Sequence, residues 1–250
     1  MNIQTYLDRI GYTGSREISR ENLTTLIRQH LETVPFENLD CCGKGAPLSN
    51  EPEHLYEKIV TNRRGGICFE LNGLLYSLLQ AMGYTCYSVA VRIPRPDGKS
   101  PISHQGVVVT LDGKQYYCDV GFGGPGPKGA LALDEAPEQT VDGERFLVTR
   151  DGIYVSISRY YQDTWVETLR YADIPYGWED FTGMLYHFAM APDSYFVVQR
   201  LVNLCLPGGG SLALTNNRFT ARRNGTVTQT ELASEDEVIK VLREEFSLFL

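Results

Sequence analysis

The sequence predicts an α+β fold in three segments, on three observations. Apolar residues recur at helical spacing through the first third, a middle stretch from about Thr85 to Ala172 alternates with period two and is cut by hairpin dipeptides, and the end returns to strands and one amphipathic helix. The 250 residues are 42% hydrophobic and 22% charged, enough for a sizeable core in one large domain or two to three small ones. No internal repeat or low-complexity linker interrupts them.

In order along the chain, Ser19 is positioned to cap a helix whose apolar residues Leu23, Leu26, Ile27 and Leu31 keep a 3.6-residue period until Pro35 forbids continuation. A second helix is expected around Glu53 to Asn62, interrupted by Gly65-Gly66. From Cys68 the pattern is clearest: Leu71, Leu74, Leu75, Leu78, Leu79 and Met82 share one face, and Gly83 ends the run as a C-terminal cap. Tyr87, Val89, Val91 and Ile93 then alternate as a strand. Two further strands, 103–111 and 114–120, flank Asp112-Gly113, a dipeptide suited to a two-residue type I′ turn. Arg150-Asp151-Gly152 separates another candidate pair, and the extended, aromatic character continues over 160–171, so the middle region reads as antiparallel sheet or a small barrel. A short helix is expected over 178–187, with strands over 196–206 and on either side of Asn224-Gly225. Ser234 and Glu237 stand at capping-box spacing ahead of a last helix carrying Val238, Val241, Leu242 and Phe246.

Composition excludes several classes. Net charge is -8, and Lys and Arg are scattered instead of forming a stripe, which argues against a nucleic-acid partner. No apolar run approaches the roughly 18 residues that span a bilayer, and the opening stretch from Met1 to Gly14 is polar where a secretory signal is apolar, so a cytoplasmic protein without a membrane partner is expected. Six cysteines (Cys41, Cys42, Cys68, Cys86, Cys118, Cys205) form no CxxC pair and no ligand-type rhythm. Neither a metal site nor a disulfide framework is indicated, and most of these thiols are expected to fill the core.

Cys68 differs from the rest by its position. A thiol with the ordinary pKa of about 8.5 is mostly protonated at neutral pH, whereas a helix N-terminus and a neighbouring imidazolium both favour the anion. Alone, a cysteine on an apolar helix face is usually packing. The hairpin adds the partner residues: if Asp112-Gly113 is a two-residue loop, Leu111 pairs with Lys114, His104 faces Gly121, and Asp119 faces Gly106. His104 and Asp119 then become diagonal neighbours on one face, typically ~7–8 Å apart at the backbone and within side-chain reach, with Gly106 leaving room. A bulge between those strands would separate them. Of the other histidines, His30 and His54 read as surface or half-buried side chains, while His187, between Tyr186 and Phe188, suits packing or substrate contact equally. The stretch from Gly121 to Gly126 formally satisfies GxGxxG, but no helix follows it, so it reads as a backbone wall near the triad and not as a dinucleotide site. Cys68, His104 and Asp119 thus fit the roles of nucleophile, base and orienter.

These residues carry a resemblance. Arg64-Gly65-Gly66-Ile67-Cys68-Phe69-Glu70-Leu71-Asn72, Val34-Pro35-Phe36-Glu37-Asn38-Leu39 and Asp119-Val120-Gly121-Phe122-Gly123 resemble three signatures of the arylamine N-acetyltransferases. The likeness extends from Tyr6-Leu7-Asp8-Arg9-Ile10-Gly11 to the last helix. It implies a helical N-terminal domain (1–84), an antiparallel β-barrel middle domain (85–175) and an α/β C-terminal lid (176–250), around a papain-like or transglutaminase-like catalytic core.

The resemblance further implies acetyl-CoA as donor and an aromatic amine or hydrazine as acceptor, with Cys68, His104 and Asp119 as the triad. By the same likeness Phe36 and Phe122 would line the acceptor pocket, Ser103, Gly123, Gly124 and Gly126 would meet the coenzyme, and Arg64 would pair with Glu37 or Asn38. Ser194-Tyr195-Phe196 departs from the Ser-Pro-Phe of the pattern, and Leu185 stands where many relatives carry Asn. Two other activities fit the same residues: an amide synthase taking acyl-carrier thioesters, and a transglutaminase-like cysteine hydrolase.

Overall fold

Ser19 accepts a hydrogen bond from the Asn22 amide and so starts α2 (Arg20–Thr33), which Val34 ends in extended backbone just before Pro35. Before it, α1 (Ile3–Arg9) is capped by Asn2. The computed structural model describes residues 1–95 and 97–249. The expected second helix is two pieces in one, α3 (Pro52–Tyr56) running directly into a π-helical turn, Glu57–Thr61. Next comes α4 (Cys68–Ala81), closed by Gly83 in the left-handed region at φ +92. Leu23, Leu26 and Ile27 of α2 share one buried cluster with Leu71, Leu74, Leu75 and Leu78 of α4, as their periods require.

His30 corrects an expectation. It is fully buried within that packing, its ring stacked on Tyr6 at 5.8 Å between centroids, and neither ring nitrogen finds a partner among the described residues. Helical period shows which face a residue occupies but not whether α1 covers that face. His54, by contrast, is exposed.

The middle of the chain forms one eight-stranded antiparallel sheet. Its strands are β2 (Thr85–Arg92), β3 (Ile102–Leu111), β4 (Lys114–Cys118), β5 (Leu131–Ala132), β6 (Glu138–Val141), β7 (Glu144–Asp151), β8 (Tyr154–Tyr161) and β9 (Thr164–Ala172). They lie in the order β5-β4-β3-β2-β9-β8-β7-β6. The two edges meet through Gln139 of β6, whose amide both donates to the carbonyl and accepts from the N–H of Ala132 in β5, leaving a nearly closed barrel. Asp112 and Gly113 both have positive φ, and Leu111 pairs with Lys114, so the expected turn and register are present. The same geometry recurs at Gln162-Asp163, which joins β8 to β9 without a glycine.

A second antiparallel sheet contains β1 (Phe36–Glu37), β10 (Leu201–Leu206), β11 (Gly210–Thr215), β12 (Arg218–Arg223) and β13 (Thr226–Glu231), in that spatial order. Asn224-Gly225 turns β12 into β13. Pairing of β1 with β10 ties the N-terminal third to this late sheet. Between the sheets a 3₁₀ turn (Trp178–Phe181) leads into α5 (Thr182–Met190) and α6 (Tyr195–Val198). Phe196, expected to open a strand, lies in α6 because the Ser194 hydroxyl caps that turn through the Phe196 amide. Finally α7 (Glu235–Phe246), capped by Ser234, packs Val238, Leu242 and Phe246 onto Val202, Leu212, Leu214 and Ala221. No helix among the described residues is long and apolar enough to cross a membrane.

Candidate active site

Cys68 is the first residue of α4 and is 3% exposed. The turn before it is held from several sides. Glu70 accepts from the Ile67 amide at 3.0 Å and from Lys58 Nζ at 2.7 Å, while Lys58 also reaches Asp40 at 2.8 Å. Arg64 bonds Glu37 and Asp40, each at 2.8 Å, so the expected Glu37 contact is present. Asn38 is engaged elsewhere, on the backbone of Phe196, Gln199 and Leu201. A side chain at Gly65 would collide with the Pro35 carbonyl, so close packing, beyond turn flexibility, requires glycine there.

His104 comes from β3. Its pairing with β2 runs Val91↔His104 and then Arg92↔Ile102, so Ser103 is a bulge residue beside His104, and its carbonyl lies 3.9 Å from Cys68 Sγ. Between β3 and β4 the register is regular from Leu111↔Lys114 to Val107↔Cys118. There β4 ends. Asp119 has left the ladder, which corrects the expected pairing with Gly106, and its carboxylate caps the following loop by accepting from the Gly121 and Phe122 amides at 2.8 and 2.9 Å. It nevertheless meets the imidazole: His104 Nε2 lies 2.6 Å from Asp119 Oδ2, both side chains buried.

Electrostatics follow from that burial. Desolvation works against a charge on His104, but the Asp119 carboxylate and the Cys68 sulfur beside it prevail and raise its pKa to about 10. Asp119 is likewise opposed by burial, yet His104, Asn72 and Tyr117 hold its carboxyl below the usual range. The arrangement can therefore keep an imidazolium next to the Cys68 sulfur.

These groups open onto a cleft of about 1030 Å³ lined by Cys68 and His104. Phe36 and Phe122 are in its wall, as are Ser103, Gly123 and Gly124. Gly126 is buried: its amide closes a turn on the Gly123 carbonyl beneath the Phe122 ring, so it stands outside the lining. His187, Phe188 and Phe196 face the same cleft, and the rings of Phe36, Phe196 and Phe188 follow one another at 5.8 and 5.7 Å. Phe196 stands in the Ser194-Tyr195-Phe196 segment that departs from the family pattern, with no role expected of it, and Phe188 escapes a reading from motifs. A signal shared by both is aromatic density, Tyr186-His187-Phe188 and Tyr195-Phe196.

Comparison with known proteins fits this geometry. Residues 19–250 match the family model described as N-acetyltransferase. The arylamine N-acetyltransferase of Escherichia coli K12 is 31% identical over 248 residues, covering 97% of this chain and 87% of the relative. Human arylamine N-acetyltransferase 1 is 28% identical, covering 100% and 95%. Among solved structures, the Salmonella typhimurium arylamine N-acetyltransferase superposes with a TM-score of 0.92 at 27% identity, covering 98% of this chain and 90% of that one. The Mycobacterium marinum enzyme in complex with CoA gives 0.90 at 27% identity, covering 98% and 92%. A family model over nearly the whole chain, a full-length relative above 30% identity and a matching fold together establish that this chain belongs to the arylamine N-acetyltransferase family.

Proposed function

We propose that this chain transfers an acetyl group from acetyl-CoA to aromatic amines or hydrazines in two steps, through a thioester on Cys68. In this reading the segment 1–84 brings the nucleophile, 85–175 brings base and orienter, and 176–250 covers the cleft. What supports it most is one observation, the 2.6 Å bond between His104 and Asp119 in the cleft that Cys68 also lines.

In the first step Cys68 sulfur attacks the acetyl carbonyl carbon; the new C–S bond forms as the bond to the coenzyme sulfur breaks, and the His104 imidazolium protonates the departing thiolate. The backbone N–H of Cys68, at the first helical position and without an acceptor among the described residues, is available to the carbonyl oxygen as charge develops there. In the second step the amine nitrogen attacks acetyl-Cys68, the C–N bond forms as C–S breaks, and the now neutral imidazole takes the amine proton. Asp119 keeps the ring oriented throughout. Phe36 and Phe122 suit a flat aromatic acceptor, and the open backbone at Ser103, Gly123 and Gly124 suits the donor. Six free thiols fit a reducing cytoplasm. Relatives spanning nearly the whole chain bear the arylamine name, which favours this activity over amide synthesis on carrier thioesters or peptide hydrolysis.

Intact mass spectrometry tests it. Mixing with acetyl-CoA adds one acetyl group, mapped to Cys68, and an aromatic amine or hydrazine discharges it. Cys68→Ala takes no adduct and loses more than about 1,000-fold in rate. A Cys68→Ala protein that acetylates amines at the normal rate refutes the reading.

A further inference from the structure

Tyr117 is fully buried and has no part in the mechanism above. It stands two residues before Asp119, and its ring fills the space left by Gly106. A Cβ at Gly106 would lie 2.5 Å from Tyr117 Cε2 and 2.6 Å from its hydroxyl oxygen, so the room is taken by this ring and not by Asp119. Stacking on Tyr171, with centroids 5.6 Å apart, fixes the ring further. So placed, the hydroxyl donates to Asp119 Oδ2 at 2.7 Å, the same oxygen that binds His104. Asn72 Nδ2 and the amides of Gly121 and Phe122 occupy Oδ1. Five donors on two oxygens slightly outnumber the roughly four lone-pair positions of a carboxylate, so they compete. Burial, with Asp119 alongside, keeps the Tyr117 hydroxyl protonated and therefore always a donor.

We propose that Tyr117 is a positioning residue that shares Asp119 Oδ2 with His104 and thereby loosens the carboxylate's hold on the imidazolium proton. The proposal rests on Cys68, His104 and Asp119 acting as the triad. The titratable groups facing this point are Cys68 from α4, His104 from β3, Cys118 and Asp119 at the end of β4, and Tyr171 from β9. Arg95, Asp97, His187, Asp193 and Tyr195 also line the cleft, all exposed. Within the triad a proton held too tightly makes His104 slow to serve as base in the amine step.

The test is the pH dependence of Cys68 alkylation by iodoacetamide, followed by peptide mass spectrometry, which needs no acetyl-CoA. Tyr117→Phe keeps the ring and removes the donor. The upper transition, where His104 loses its proton, is expected to rise by about 0.5–1 pH unit. The amine step should shift in the same direction, with kcat at pH 7 falling several-fold and KM for the amine unchanged. Installing 3-fluorotyrosine at position 117, a stronger donor of nearly the same shape, should lower the transition instead. A merely structural role predicts no such reversal. Unshifted transitions in both proteins, with Cys68 still alkylated, overturn the proposal, and the fluorinated protein decides alone if Tyr117→Phe does not fold. Wild-type protein in which Cys68 is no more reactive than the other cysteines overturns instead the triad reading beneath it.

Discussion

Asn72 carries as much of the site's geometry as any residue outside the triad. Fully buried on α4, it donates to the Gln105 carbonyl at 2.6 Å and to Asp119 Oδ1 at 2.9 Å, and it accepts from the Val120 amide at 2.8 Å. One side chain thus ties the helix of Cys68 to the strand of His104 and to the loop of Asp119. Asn72→Ala removes the partner of the buried Gln105 carbonyl and Val120 amide, while Asp119 Oδ1 keeps the Gly121 and Phe122 amides; the expected cost is about 1–3 kcal/mol per uncompensated group, and misplacement of Asp119 should lower kcat by ~100-fold. Urea unfolding and steady-state kinetics check the two together, and full activity in a destabilised protein would limit Asn72 to the scaffold. The helical period from Cys68 and the turn at Asp112-Gly113 made Cys68, His104 and Asp119 legible as a set, but the register holds only as far as Cys118, and Asp119 meets His104 from outside the ladder. Tyr117 was not, since a strand tyrosine reads as core filler until Gly106 is seen to be occupied by its ring.

The element that presents Cys68 starts without a Ser, Thr, Asp or Asn cap, and only the reciprocal half of a capping box is present, Glu70 reaching back to accept from the Ile67 amide. That carboxylate is 2% exposed; burial raises its pKa and Lys58 opposes the rise. Lys58 comes from the π-helical turn, and its ammonium group lies 2.7 Å from the Glu70 carboxylate in the first turn of α4. Lys58→Met should cost about 3–5 kcal/mol at pH 7 by leaving Glu70 charged and unpaired. In that variant the folded-state pKa of Glu70 rises further above its unfolded value, so the folded protein binds the extra proton and the deficit shrinks as pH falls towards 5. Adding Glu70→Gln should close most of the gap, and a deficit independent of pH in Lys58→Met would show that packing loss dominates. Sequence marks such elements unevenly. Hairpins with glycine at the second turn position are read directly, whereas Gln162-Asp163 adopts the same backbone without that signal, and the short α6 resembles a strand because Phe196, Val197 and Val198 are all extended-chain formers.

At the scale of the molecule, the site is assembled from distant parts. Phe36 of β1, Cys68 of α4, His104 of β3 and Phe196 of α6 meet only because β1 joins the late sheet and the barrel seats its first hairpin on α4. For Phe36, Cys68 and His104 that convergence was legible through motifs and not through topology, since no local pattern announces that Glu37 pairs with Val202, far along the chain. Its stability should have an acid weakness remote from the chemistry. Burial, and secondarily Arg9, lowers the His30 pKa to about 3, against about 6.5 in an unfolded chain. Below pH 6.5 the unfolded state therefore gains a proton that the folded state refuses, and stability falls by up to about 1.4 kcal/mol per pH unit until the pH nears 3. His104 acts in the opposite sense: its raised pKa contributes stability that is complete below about 6.5 and lost as pH climbs towards about 10. Asp119 adds little to the slope above pH 4, because its loss belongs to the range below its ordinary pKa. His30→Leu keeps an apolar group against Tyr6 and removes the titration. Urea unfolding from pH 6 to 4.5 should then show a slope shallower by about one proton than wild type, while the alkaline limb stays where it was. Equal acid slopes would mean that His30 is protonated in the folded state, and that the pocket formed by Tyr6 and Arg9 tolerates the charge.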